Sequence, residues 1–144
     1  MHLQMRKASV GFVLAGLLIA AGAARAQTAR FDVPFQFKVG KVLMPAGAYI
    51  IQRANTYDTA TEEMRGVDPH TSASNDYFIP SPVELRGRKD TTDLIFRCYS
   101  GECFLSQIWT AGNPIGKEVR LQVPESLLAR EAPAPDEVEV AALR

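Results

Sequence analysis

Stretches in which apolar and polar residues alternate are the feature that most restricts how this chain can fold. The clearest stretch covers residues 31–39 and contains Pro34. Its apolar positions are Phe31, Val33, Phe35, Phe37 and Val39. A period of two is typical of a β-strand with one buried face. Because Pro34 has no backbone N–H to donate, we expect an edge strand or a bulge at that position.

Further strands are predicted along the chain, separated by turns that contain Gly or Pro. The patterns lie at residues 48–53, 61–65, 77–79, 83–85, 94–99, 102–110 and 117–123. Pro124 to Ala132 favours a helix, with Pro in the first turn, where its missing N–H is tolerated. Many short strands with frequent turns predict an all-β fold. The expected architecture is a small antiparallel β-sandwich or barrel with one short C-terminal helix.

The chain is expected to divide into three parts. Residues 1–26 form a signal helix that is cleaved, and residues 27–132 form a single antiparallel β domain. Residues 133–144 begin with a proline-containing linker and form either a C-terminal tail or a last strand. About 118 residues remain after cleavage, a length that suits one domain with one core.

The first 26 residues have the organisation of a secretory signal peptide. A basic head at residues 1–7 precedes an uncharged apolar segment at residues 8–24. The small residues Ala24 and Ala26 then lie just before Gln27, which predicts cleavage between Ala26 and Gln27. We therefore expect an exported protein, periplasmic or secreted.

An uncleaved membrane anchor is the alternative interpretation of the same segment. Its apolar run of 17 residues is at the lower limit for spanning a bilayer. Three glycines within that run weaken it as a stable helix. Contact with a membrane is expected only through this segment, if it stays attached.

Removal of the signal changes the charge of the protein. The whole chain has 16 basic and 16 acidic residues, and Arg6, Lys7 and Arg25 leave with the signal. The remaining 13 basic and 16 acidic residues give a net charge of −3. Nucleic acid as a partner is therefore not expected, because it requires a basic surface.

The two cysteines fall on either side of a predicted hairpin turn. If Ser100 and Gly101 form a two-residue turn, Cys98 faces Cys103 in a non-hydrogen-bonded pair. The Cα separation of such a pair, about 4.5 Å, lies within the range of a disulfide. An exported protein meets an oxidising compartment, so we predict that this bond forms. A redox motif is less favoured, because it usually has two residues between its cysteines rather than four.

Catalytic groups are sparse in the sequence. His70 is the only histidine that remains after cleavage, with Asp68 and Asp76 near it, and no Gly-x-Ser-x-Gly motif is present. A solvated loop histidine is therefore favoured over a general base. No cofactor is predicted, and no metal, because two cysteines and one distant histidine fall short of four zinc ligands. The neighbouring Glu62 and Glu63 are expected to be solvated.

Apolar residues occupy both faces of the predicted hairpin. Phe96 and Leu105 share a face with the cysteines, and strict alternation places Trp109 on that face too. Burial of the hairpin between two layers explains this pattern. A cavity for one small ligand, lined by Phe96, Leu105 and Trp109, is the second interpretation, since small barrels can enclose a ligand.

Three segments carry a resemblance to known proteins. They are Pro34-Phe35-Gln36-Phe37, the turn and strand from Met44-Pro45-Ala46-Gly47 to Tyr49, and Phe104-Leu105-Ser106-Gln107-Ile108-Trp109. Together they resemble a group of small exported bacterial proteins of unknown function. The resemblance implies export and a β fold, and it carries no activity and no catalytic residues.

The leading functional hypothesis is a non-catalytic β domain in the cell envelope that binds an unknown protein or small-molecule ligand. A small hydrolase that uses His70 is one alternative. A structural envelope component is the other, which would assemble through open edge strands at residues 31–39 or 137–143.

Overall fold

The computed structural model describes residues 28–84, 90–121, 123–131 and 134–144 of the chain. The signal helix predicted for residues 1–26, and the cleavage position between Ala26 and Gln27, lie outside the described residues. The described part consists mainly of β-strands, with one short helix near the C-terminus. The predicted fold class is confirmed.

The strands and the helix are numbered in chain order. They are β1 (Arg30–Val33), β2 (Phe37–Val39), β3 (Val42–Met44), β4 (Gly47–Arg53), β5 (Glu62–Gly66), β6 (Asn75–Phe78), β7 (Ser81–Glu84), β8 (Asp93–Tyr99), β9 (Glu102–Trp109), β10 (Ile115–Glu118), α1 (Val123–Glu131) and β11 (Asp136–Ala141). The strands are short, as the spacing of the turn residues predicts.

The strands form two sheets that enclose one core. Sheet A has the order β1-β4-β5-β6 and is antiparallel throughout. Sheet B has the order β11-β8-β9-β10-β7, and β2 joins it beside the start of β9 with β3 paired to its other edge. The pairing of β2 with β9 is parallel, which departs from the purely antiparallel prediction.

The alternating stretch at residues 31–39 contributes to both sheets. It forms β1 in sheet A and β2 in sheet B, with a break between them at residues 34–36. Pro34 lies in this break and donates no hydrogen bond to either ladder. The alternation continues through the break, because Phe31 and Phe37 are each 1% exposed. The stretch is therefore two strands that cross between the sheets, and β1 is an edge strand of sheet A.

Aromatic rings fill the centre of the core. Phe37 lies edge-on to Tyr49 and to Phe96, with ring centroids 5.2 Å and 5.1 Å apart. Phe35 packs against Phe96 in the same geometry at 5.1 Å. Such edge-to-face pairs stabilise a core beyond the burial of their area. Met64 of β5 is also fully buried, so both sheets contribute to one continuous core.

The C-terminal segment is a strand and not a free tail. β11 pairs with β8 along its whole length. Just beyond its end, Ala142 forms a bridge to Phe31, and the N–H of Leu143 donates to the carbonyl of Arg30 at 2.8 Å. The two segments considered as open edges thus contact each other and connect the two sheets along one flank.

A buried ion pair connects helix α1 to sheet B. Nε of Arg97, in β8, donates to Oε1 of Glu125 at 2.8 Å, and Glu125 is 3% exposed. Glu118 in β10 lies 3.9 Å from the same guanidinium. Through Glu125, the helix therefore contacts β8 on the face that points away from the core.

Candidate functional site

The predicted disulfide is present in the β8–β9 hairpin. Cys98 lies directly opposite Cys103, with the two Cα atoms 4.0 Å apart and the two sulfurs bonded. Ser100 and Gly101 form the turn with φ values of 49° and 89°, and positive φ at both central positions is typical of a type I′ hairpin. The bond is confirmed, and a disulfide is compatible with an exported protein.

A β-bulge changes which residues share a face of this hairpin. The pairing of β8 with β9 shifts register between Ile95 and Phe96, which leaves Ser106 as the extra residue in β9. Beyond the bulge, Ile108 points into the core together with Leu105. Trp109 therefore lies on the opposite face, away from Phe96, and the strict alternation expected from the sequence ends at Ser106.

The three residues predicted to line a cavity are all buried. Phe96 and Leu105 are 0% and 1% exposed and pack in the core. Trp109 is 2% exposed and lies against Gly116, where an added Cβ would come within 2.8 Å of the indole ring. Four surface pockets among the described residues have other linings. A cavity at these residues remains a prediction.

The loop that carries His70 is held in place by Asp68. His70 is exposed. The Asp68 carboxylate accepts hydrogen bonds from the backbone N–H groups of Ala48, His70 and Thr71, at 2.6, 2.8 and 2.9 Å. The bond from Ala48 is the main reason that the pKa of Asp68 lies below its ordinary value. The acid nearest to His70 in sequence thus fixes the backbone of the loop.

The largest of the four pockets is a cleft of about 590 Å³ at one end of the sandwich. We call it the inter-sheet cleft. Its apolar lining comes from Phe31 and Ile51 of sheet A and from Ile108 of sheet B. The β-bulge positions Ile108 here, because it turns this side chain toward the facing sheet. A volume of this size is typical of sites for small ligands.

Charged side chains form one wall of the inter-sheet cleft. Glu62 of β5 is 4% exposed and forms a close ion pair with Lys117 of β10, across the gap between the sheets. Arg53 of β4 lies opposite Glu62 in the cross-strand register. The cleft therefore presents two cations and one anion beside an apolar surface.

The burial of Glu62 and Glu63 corrects the expectation that both are solvated. They are 4% and 7% exposed and point to opposite faces of sheet A. Glu62 shares a face with the buried Met64, two residues later in β5. Period-two alternation in β5 could have identified Glu62 as an inward-facing carboxylate. The contact with Lys117 has no sequence signal, because it joins residues 55 positions apart.

The described residues contain no cluster of three or more side chains suited to a metal ion. Within the same residues, no helix has the length and hydropathy needed to cross a membrane. Comparison of the chain with family models, with curated proteins and with solved structures finds no match.

Proposed function

We propose that this protein is an exported, non-catalytic β domain that binds a small amphipathic ligand with an acidic head group in the inter-sheet cleft. The cleft itself carries the proposal, because it combines an apolar surface with the Glu62–Lys117 ion pair and the additional cation Arg53. Most ligand sites have this composition, in which apolar contacts supply affinity and a few polar groups fix orientation.

The charges of the cleft favour an anionic head group. Lys117 is paired with Glu62, and Arg53 adds a second cation at the same wall. The excess of one positive charge attracts a carboxylate or sulfonate, and a guanidinium can hold such a group with two parallel hydrogen bonds. The apolar part of the ligand would then lie along Phe31, Ile51 and Ile108.

The hydrogen bonding of the His70 loop favours a binding function over hydrolysis. His70 is exposed, and the Asp68 carboxylate is occupied by backbone N–H groups. A catalytic dyad would instead hold the imidazole against an acid or a nucleophile.

Titration with anilinonaphthalene sulfonate, followed by displacement with dodecanoate, tests the proposal. We expect saturable fluorescence enhancement by the dye and its loss on addition of dodecanoate. Arg53→Gln should weaken dodecanoate binding about tenfold, which corresponds to about 1.4 kcal/mol. Arg65→Gln is the matched control, because Arg65 is an exposed arginine on the neighbouring strand β5, on the other face of sheet A. Equal weakening by both substitutions, or no saturable binding, would refute the proposal.

Export is the second part of the proposal. It is supported by the organisation of residues 1–26 and by a disulfide of the kind that forms in oxidising compartments. Intact mass measured on protein from the extracytoplasmic fraction should correspond to a chain that begins at Gln27. Recovery of the uncleaved chain from the cytoplasm would contradict this assignment. Thr28 lines the inter-sheet cleft, so the expected new N-terminus is adjacent in sequence to the site.

A further inference from the structure

The outer face of sheet A carries a group of polar and aromatic side chains, of which Gln52 also borders the inter-sheet cleft. Tyr49 and Met64 point from sheet A into the core, so their neighbours in β4 and β5 point away from it. On β6, Tyr77 is 55% exposed. Gln52 and Glu63 lie beside it on the same face. We call this surface the polar face of sheet A.

Strand register arranges these side chains in rows. Gln52 of β4 is opposite Glu63 of β5, which is opposite Tyr77 of β6. The adjacent row contains Arg65 opposite Asn75. Neighbouring strands are about 4.8 Å apart, so a row across three strands is about 10 Å long. The rows form an extended surface on the outside of sheet A, separate from the wall of the inter-sheet cleft that carries Glu62 and Lys117.

Glu63 is the centre of this face and is unusually well covered for an outward-facing carboxylate. It is 7% exposed, and Nε2 of Gln52 donates to its Oε2 at 3.0 Å. The pKa of Glu63 is lowered mainly by that bond, with further contributions from Asn75, Tyr77 and Arg65. The Gln52 amide is therefore held against Glu63 before any ligand arrives.

We propose that the polar face of sheet A binds a neutral saccharide chain. The exposed ring of Tyr77 offers an apolar surface for the C–H face of a sugar, at low conformational cost. The amide of Asn75 and the guanidinium of Arg65 supply donors and an acceptor for neighbouring hydroxyl groups. A row across three strands, about 10 Å long, can contact a short stretch of such a chain.

The balanced charge of the face favours a neutral saccharide over a charged one. Arg30 and Asp32 of β1 are exposed on the same side as Arg65 and Glu63, so two positive charges balance two negative ones. A balanced surface gives no long-range attraction to an anionic polymer. Recognition must then come from stacking and from hydrogen bonds to hydroxyl groups.

Affinity electrophoresis of the purified protein tests this site. Native gels would contain a neutral polysaccharide, in turn a β-glucan, a galactomannan and a dextran, and a separate gel would contain alginate. At least one neutral polymer should slow migration, and Tyr77→Ala should reduce the association constant at least fivefold. Tyr57→Ala is the matched control, because Tyr57 is 98% exposed in a loop outside the sheets and its loss should change nothing.

Asn75→Ala provides a second variant, since Asn75 is exposed and its replacement leaves the core intact. It should also weaken retardation, whereas Arg53→Gln in the inter-sheet cleft should not, which separates this site from the cleft. The proposal is overturned if none of the neutral polymers slows the protein, if only alginate does, or if Tyr57→Ala weakens retardation as much as Tyr77→Ala.

Discussion

At Gly66, the lack of a side chain allows the loop that follows β5 to pack closely against sheet A. An added Cβ at Gly66 would lie 1.9 Å from the carbonyl oxygen of Thr71. Thr71 is fully buried, and its hydroxyl donates to the carbonyl of Ala48 at 3.0 Å. The backbone of the loop can therefore approach β5 only where a side chain is missing.

Gly66→Ala should lower the free energy of unfolding by about 2–3 kcal/mol, because backbone must move to admit the methyl group. Gly101→Ala is the comparison. Nothing lies within 4 Å of its Cβ position, and only its φ of 89° is unfavourable, so we expect a loss of about 1 kcal/mol. Urea denaturation measures both values. A smaller loss for Gly66→Ala than for Gly101→Ala would contradict the close packing of the Thr71 backbone against Gly66.

The environment of Tyr49 predicts that the free energy of unfolding falls at alkaline pH. Its hydroxyl donates to the carbonyl of Pro45, and burial together with the charge of Asp68 raises the pKa of Tyr49 from 10.0 to about 12. Between these two pH values, Tyr49 keeps its proton in the folded state and loses it in the unfolded state. The stabilisation is complete below pH 10.0 and disappears as the pH rises toward 12.

Tyr49→Phe should show a shallower loss of stability than the unsubstituted protein over that alkaline range, because phenylalanine does not titrate. Urea midpoints at several pH values, measured on both proteins, test this. Parallel curves would show that Tyr49 ionises at the same pH in the folded and unfolded states.

At the scale of elements, the β8–β9 hairpin was predictable because its signals are local. Ser100-Gly101 supplies the turn, and the register that follows from it places Cys98 opposite Cys103. The bulge at Ser106 was not predictable from alternation. It is associated with the pairing of β10, since the N–H of Val119 donates to the carbonyl of Ser106 at 2.8 Å. β10 ends at Glu118, next to this contact, whereas the sequence predicts a strand that continues to residue 123.

Loss of the disulfide should destabilise the protein modestly. The bond joins residues five positions apart, and so short a loop contributes about 2 kcal/mol in the chain-entropy model. Replacement of both cysteines by Ala should lower the free energy of unfolding by about this amount in urea. Reductant should have a similar effect on the unsubstituted protein and none on the double variant. An unchanged urea midpoint under reducing conditions would contradict a stabilising bond.

At the scale of the whole molecule, composition and turn spacing were sufficient to predict an all-β domain, but not how its strands divide between two sheets. Pro34 marks the crossing from β1 to β2, yet the parallel pairing of β2 with β9 depends on contacts between distant residues. The inter-sheet cleft was missed for the same reason. Its wall joins Arg53 and Glu62 of sheet A to Lys117 of sheet B, which meet only when the sandwich is complete.

Binding in the inter-sheet cleft is the central claim, and mapping of backbone amide NMR shifts during titration with dodecanoate tests it most directly. We predict saturable shifts at Ile51, Arg53, Ile108 and Lys117, which line the cleft on both sheets. Amides of β6 on the polar face, such as Tyr77, should not move. Saturable shifts that avoid the cleft, or no saturable shifts at all, would contradict the account.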